Sequence, residues 1–327
     1  MIVPTTIGCQ QELVSEASLI ARGAGATIAV VDEDVDVDDH AEFEGRVLPG
    51  YRATIAGGVD GPNVRRPHGV KVAGLAMAGG REMTGIAPAA LLMPIAVPAL
   101  STTIGHPTEA AGLRWASDHG ADIICCAWSP PAPTTDSGKL PPYTRDALDH
   151  CLTNGRGGKG CVIIFSAGND GSDLALNGYA SHPGVIAVGA CNCHGKHPAY
   201  SGWGDALWCV FPSNDPRDPV GASMTYLTTA PAGSLLDGEA FYTTRFGFTS
   251  AACAAVAGIC ALIVSASPEL TSDQVKHVLR DSCDKIDLEG GTYDERGHSP
   301  LYGYGRPDVA RAVRLAQNHA KPRTVSV

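Results

Sequence analysis

Five short apolar runs, none of them alternating with polar residues, constrain the fold most. They are 27–31 (TIAVV), 91–97 (LLMPIAV), 122–128 (DIICCAW), 161–166 (CVIIFS) and 185–190 (VIAVGA). A strand that is apolar on both faces must be covered on both faces, which is the situation of a parallel sheet. Between the runs, 69–79, 107–119 and 143–154 have helical spacing, and 250–265, 271–282 and 307–318 follow. Thr271 and Gln274 form a capping box, and Pro307 suits the first turn of the last helix. The interleaving predicts an α/β chain with a mostly parallel β-sheet flanked by helices on both faces. The Pro-rich loop 129–142 and the irregular segment 212–247 break the rhythm, but apolar patterning resumes directly after each. The expectation is a single domain over 21–320, after an N-terminal segment 1–20 and before a polar tail 321–327.

Charge and cysteine content narrow the setting. With 327 residues and a net charge of −10, the chain disfavours nucleic acid and anionic membrane as partners and favours a cationic substrate. No apolar run approaches membrane-spanning length. The start, MIVPTTIGCQQELVSEAS, lacks the basic and apolar parts of a signal peptide. The 11 cysteines are odd in number and several lie inside apolar runs, which suits free buried thiols in a reducing compartment. A cytoplasmic location is expected.

Ligands of a parallel sheet meet the carboxyl ends of its strands. Asp32 follows the first run, and Asn169 follows the fourth in SAGND. His68 in PHGVKVAG and Ser250 in FTSAACAAVAG each open a small-residue helix. Taken singly, these are a strand-end cap, a helix-start residue, a turn residue and an N-cap. Taken together, an Asp, a His and a Ser are the parts of a nucleophilic triad, and an amide side chain can stabilise an oxyanion.

The four blocks IAVVDEDVDVDDH, HGVKVAGLA, FSAGNDG and FTSAACAAVAG, in that order, resemble those of the subtilisin-like serine proteases. MTGIAPAALLMPIAV, GVIAVGACN and LYGYGRPDVARAV extend the similarity over most of the chain. The resemblance implies a subtilisin-like serine endopeptidase that needs no cofactor. Asp32 would be the orienting acid, His68 the base, Ser250 the nucleophile and Asn169 the oxyanion donor. It also implies that a peptide or protein substrate, such as a precursor peptide, pairs as an extra strand along Ala127, Trp128 and Ser129. The walls of the P1 pocket would include Ser166, Ala167 and Gly168, with Trp128 facing a substrate pocket and Asp170 at the rim. Glu33 stands where acidic residues of the proprotein-convertase branch contact a basic P2. A preference for basic residues near the cleavage site follows as an expectation.

Several departures carry expectations of their own. The family's Gly before Thr-Ser is Phe248, its Met is Ala251, and its Pro–His pair is Ala254–Ala255. Without that Pro, the helix is expected to run regularly and to shift Ser250 outward. A roomier acyl-enzyme pocket would let an amine compete with water, so peptide ligation or macrocyclisation is the alternative activity. A non-catalytic peptide-binding relative is a further one. The second His of the family's HGTHVAG is Lys71, which leaves the base untouched. AMAGGREMTGIAP is shorter than the Asn-containing calcium loop of many members and shows none of its oxygen ligands, so no metal is expected there. The acidic run Glu33, Asp34, Asp36, Asp38 and Asp39 reads as a solvated loop, and CNCHGKH has no zinc spacing. Segment 212–247 is expected to rim or cover the cleft. Only a short stretch precedes Asp32 where the family usually carries an inhibitory segment. With no signal peptide recognised, the expectation is an intracellular processing protease.

Overall fold

The computed structural model describes residues 21–37, 40–53, 68–97, 107–130, 139–218, 225–231 and 241–320. The expected segments 1–20 and 321–327, Asp38 and Asp39, most of the Pro-rich loop and parts of 212–247 lie outside these residues.

The apolar runs become β1 (Thr27–Asp32), β3 (Leu91–Ala96), β4 (Ile123–Cys126), β5 (Val162–Ser166) and β6 (Ile186–Cys191). With β2 (Tyr51–Arg52) and β7 (Leu207–Pro212) they form one sheet in the order β2-β3-β1-β4-β5-β6-β7. Its neighbours are parallel throughout. Helices α1 (His68–Met77), α2 (Pro107–Asp118), α3 (Pro142–Gly158), α4 (Phe248–Ala266), α5 (Ser272–Asp281) and α6 (Val309–Ala320) complete the layers. Two apolar clusters separate the faces. α1 and α4 pack on one side around Ile28, Val30 and Ile164, and α2 and α3 on the other around Ala29, Val31 and Ile163. The odd and even residues of each strand therefore feed different cores, which is why the runs do not alternate.

Chain order switches direction at β1, which pairs with β3 on one side and β4 on the other. The crevice between the carboxyl ends of β1 and β4 is where such a sheet binds ligands. Asp32 ends β1, and Ala127 follows β4.

The structure corrects three readings of the sequence. Pro307 lies in a two-residue strand, β11 (Arg306–Pro307), opposite β10 (Cys283–Asp284). The last helix begins at Val309, with the Asp308 carboxylate accepting from Arg311 N at 2.7 Å. Segment 212–247 contains an antiparallel pair, β8 (Tyr226–Thr229) and β9 (Tyr242–Phe246). Finally, α4 is long and apolar enough on average, at 19 residues, to reach membrane-spanning length, so the length argument fails. Its burial inside the domain marks it as a core helix.

Candidate active site

Asp32 is nearly enclosed, its side chain 4% exposed, and its Oδ2 lies 2.7 Å from His68 Nδ1. Its Oδ1 accepts from the Glu33 backbone N–H at 2.8 Å. The other face of the His68 ring is open, with 38% of the side chain exposed. Burial lowers the His68 pKa, but the charge and hydrogen bond of Asp32 outweigh it, and the net shift is upward from 6.5. Gly69 is obligatory beside it. A Cβ there would meet Asp34 O at 2.3 Å and Asp32 Cβ at 2.9 Å.

α1 is held along its length. The hydroxyls of Thr228 and Thr229 in β8 donate to Lys71 O and Val70 O at 2.6 and 2.7 Å, and the Phe246 ring meets the His68 ring edge-on at 5.9 Å. The described parts of 212–247 thus brace the helix that carries His68, which is a different task from covering the cleft.

Ser250 enters from the first turn of α4. Its Oγ donates to Ala127 O at 2.7 Å, and the residue is 8% exposed. The helix runs unkinked through buried Ala254 and Ala255, yet Ser250 is not pushed outward. Two of the free N–H groups at the helix start are capped by side chains. Phe248 N donates to Asn214 Oδ1 at 2.7 Å and Thr249 N to Asn169 Oδ1 at 3.0 Å. Thr249 Oγ1 also donates to Asn169 Oδ1, at 2.7 Å. With its oxygen held this way, exposed Asn169 keeps an NH2 group that has no acceptor among the described residues, and Ser250 N–H has none either. Unsatisfied N–H donors are what an oxyanion needs.

Phe248, in the place of the family's Gly, has φ +58°, the left-handed region that a bulky residue avoids. The Asn214 bond to its N–H, the Ser213 hydroxyl on its carbonyl at 2.9 Å and a Tyr200 ring 4.7 Å away hold it there.

Beside these groups opens a shallow recess whose walls include Ser129, Gly168, Asp170, Asp173 and Asn177. Asp170 accepts from Ser172 Oγ, and Asp173 uses one oxygen to cap Ala175 N. Asn177 turns its oxygen to the Tyr179 and Ala180 N–H groups. Sequence reading found Asp170 but missed Asp173 and Asn177. Spacing from Asn169 was the available signal, since both follow it on the same connection. Ser166 is buried at the end of β5, and Ala167 joins Gly168 in the wall. Trp128 is corrected. Its indole N–H goes to Val31 O at 3.0 Å and its ring packs edge-on against Phe165 and Tyr179, so it is structural. The backbone groups of Trp128 and Ser129 make no hydrogen bonds among the described residues, which leaves this stretch able to pair with an extended peptide.

Past the carboxyl ends of β6 and β7, Cys193, His194 and Asp218 bring one donor atom each within 4.8 Å of one another. Asp218 comes from beyond β7, so the spacing within CNCHGKH could not reveal it. The described cysteines are all free, and burial pushes the thiols of Cys126, Cys209 and Cys253 far up, which makes them poor nucleophiles.

Residues 23–305 match the model of the subtilase family. The calcium-dependent protease of Nostoc sp. is 41% identical over 333 residues, covering 96% of this chain and 50% of its own length. The dibasic-processing endoprotease of Yarrowia lipolytica is 29% identical over 277 residues, covering 79% of this chain and 28% of its own. A protease from Pseudoalteromonas arctica superposes with a TM-score of 0.73 at 24% identity, over 93% of this chain and 94% of that one. The chain thus spans about half the length of the Nostoc protein it matches.

Proposed function

The chain belongs to the subtilase family, and from that premise we propose that it is a serine endopeptidase working through Asp32, His68 and Ser250. The carrying observation is the 2.7 Å Asp32–His68 contact at the carboxyl end of β1, with the Ser250 hydroxyl held on Ala127 O just past the adjacent strand β4. A scissile carbonyl seated there draws Ser250 Oγ off Ala127 O. His68 Nε2 takes the hydroxyl proton as Oγ bonds to the carbonyl carbon. Asp32 stabilises the imidazolium, and Ser250 N–H and Asn169 Nδ2 receive the negative oxygen. His68 then protonates the leaving amine, and water repeats the sequence on the acyl-enzyme.

For the substrate, we propose a peptide with Lys or Arg at P1. Asp170 and Asp173 put two carboxylates in the recess, and Asn177 adds a polar floor. Glu33, next to Asp32, adds negative charge on the P2 side. The Yarrowia relative carries dibasic processing in its name. A dedicated processing role is part of this reading.

Mass spectrometry of a mixed peptide library, run beside Ser250→Ala, tests both parts. Ser250-dependent cuts clustered after Lys and Arg are expected. Asp173→Asn should then lower kcat/KM for a basic P1 by about 10- to 100-fold, the worth of a charged hydrogen bond. Cuts without basic enrichment would remove the substrate reading. Joined peptides in place of cut ones would make the chain a ligase.

The Nostoc relative is named for calcium. In this chain the corner after α1 does not fit that ion. Its carbonyl oxygens are engaged by Arg46, and the Glu42 carboxylate accepts four backbone N–H groups.

A further inference from the structure

Three backbone carbonyls from three segments converge on one side chain. Arg46 Nη1 donates to Met77 O at 3.0 Å and to Ala90 O at 2.8 Å, and Nη2 donates to Glu42 O. Met77 is the last residue of α1, and Ala90 immediately precedes β3. Glu42 belongs to a 3-10 turn, Ala41–Phe43. A convergence of carbonyl oxygens is how proteins ligate hard cations. The guanidinium supplies the same charge with donors in a fixed fork.

The carboxylate of Glu42 completes the corner. It is 1% exposed and gathers the loop after α1 around itself. Gly80 N and Arg81 N donate to one oxygen, and Glu82 N and Met83 N to the other, at 2.7–3.0 Å. Tyr242 OH adds a fifth donor at 3.1 Å. Burial raises the Glu42 pKa, but the four N–H bonds more than reverse this, and it sits below its ordinary 4.5. The corner therefore holds one negative and one positive group, both supplied by the chain. The other carbonyls at the end of α1 are satisfied by backbone. Leu75 O, Ala76 O and Ala78 O accept from Ile86, Ala87 and Gly85 N. Met77 O has Arg46.

We propose that Arg46 is a resident cation: it fills a carbonyl cradle fitted to a hard divalent ion and fastens the end of α1 without one. The inference stands apart from the proposed catalysis, because it concerns the cradle and is read by stability and metal binding.

The experiment compares melting of wild type and Arg46→Ala in chelator and in millimolar calcium. With the guanidinium gone, the Met77, Ala90 and Glu42 carbonyls lose their charged donor and face a space open to an ion. Arg46→Ala should melt lower than wild type in chelator and gain on the order of 5 °C more from calcium than wild type does. An Arg46→Ala protein that gains no more from calcium than wild type would overturn the proposal. If Arg46→Ala does not fold, amide exchange in the wild type decides. Exchange at Gly80, Arg81, Glu82 and Met83 should be unchanged by chelator. Faster exchange there would show that a metal, and not Arg46, fastens this corner.

Discussion

The two helices that deliver His68 and Ser250 are secured in opposite ways. α1 is fastened at its far end by Arg46 and the backbone of residues 85–87 and near its start by the Thr228 and Thr229 hydroxyls, while the His68 ring itself is held by the ion pair from Asp32. α4 is fastened at its near end, where Asn214 and Asn169 cap the turn that includes Ser250, and beyond that turn it is anchored mainly by burial, with the Ser265 hydroxyl on Ala24 O at its far end. His68 is thus aimed by charge and Ser250 by backbone shape. The histidine side should answer to pH and to charge, and the serine side to volume and backbone freedom.

The largest effect tests the charge half of this contrast. Asp32→Asn should lower kcat by roughly 10⁴-fold, the size seen when a triad aspartate is neutralised in other serine proteases. The acidic limb of kcat/KM should move as well. In the proposed mechanism the neutral imidazole is the base, so activity should fall as pH drops through the His68 pKa, which Asp32 holds above 6.5. Removing that charge should carry the limb to lower pH. The linkage to stability has the opposite sense. His68 is raised in the folded state, so its contribution is full below pH 6.5 and is lost as pH rises through the folded value. A pH–rate profile whose limb stays put in Asp32→Asn would break the assignment of charge to the histidine side.

Asn169 tests the shape half, because it does two things. Its oxygen holds Thr249, and in the proposed mechanism its NH2 serves the oxyanion. Asn169→Asp keeps the acceptor and removes the donor, so it should keep the melting temperature and lose roughly 10²–10³ in kcat, the loss measured for such an asparagine in another subtilase. Asn169→Ala should lose a similar factor and also melt lower. If both variants melt alike, Asn169 is not a cap of α4.

The contrast also explains what the sequence could tell. Asp32, Asn169, His68 and Ser250 were legible because each sits at the end of a strongly patterned element. Their supports were not. Arg46, Asn214, Thr228 and Thr229 lie in loops or short strands and meet partners from distant segments, which leaves no local spacing to read. The parallel core was visible because strands covered on both faces write continuous apolar runs. β8 and β9 are short and rich in Thr, and β8 spends its hydroxyls on α1 where a core strand would spend apolar surface. Trp128 was misread because an aromatic beside the cleft looks the same in sequence whether its indole faces substrate or Val31 O.

The smallest effect separates strain from packing at Phe248. A left-handed φ costs a residue with a Cβ about 1–2 kcal/mol, and Gly nothing. The ring, 40% exposed, returns part of that cost through Tyr200, since an aromatic pair is worth about 0.5–1.5 kcal/mol. Phe248→Ala keeps the Cβ strain and loses the ring, so it should melt below wild type. Phe248→Gly loses the ring and the strain together and should melt near wild type, above the Ala variant by about 1 kcal/mol of stability. The ordering matters more than the size, because replacing Ala by Gly is destabilising wherever the backbone is relaxed. An Ala variant as stable as the Gly variant would mean that the turn bearing Ser250 is relaxed, and the serine side would then owe its aim to the Asn214 and Asn169 caps alone.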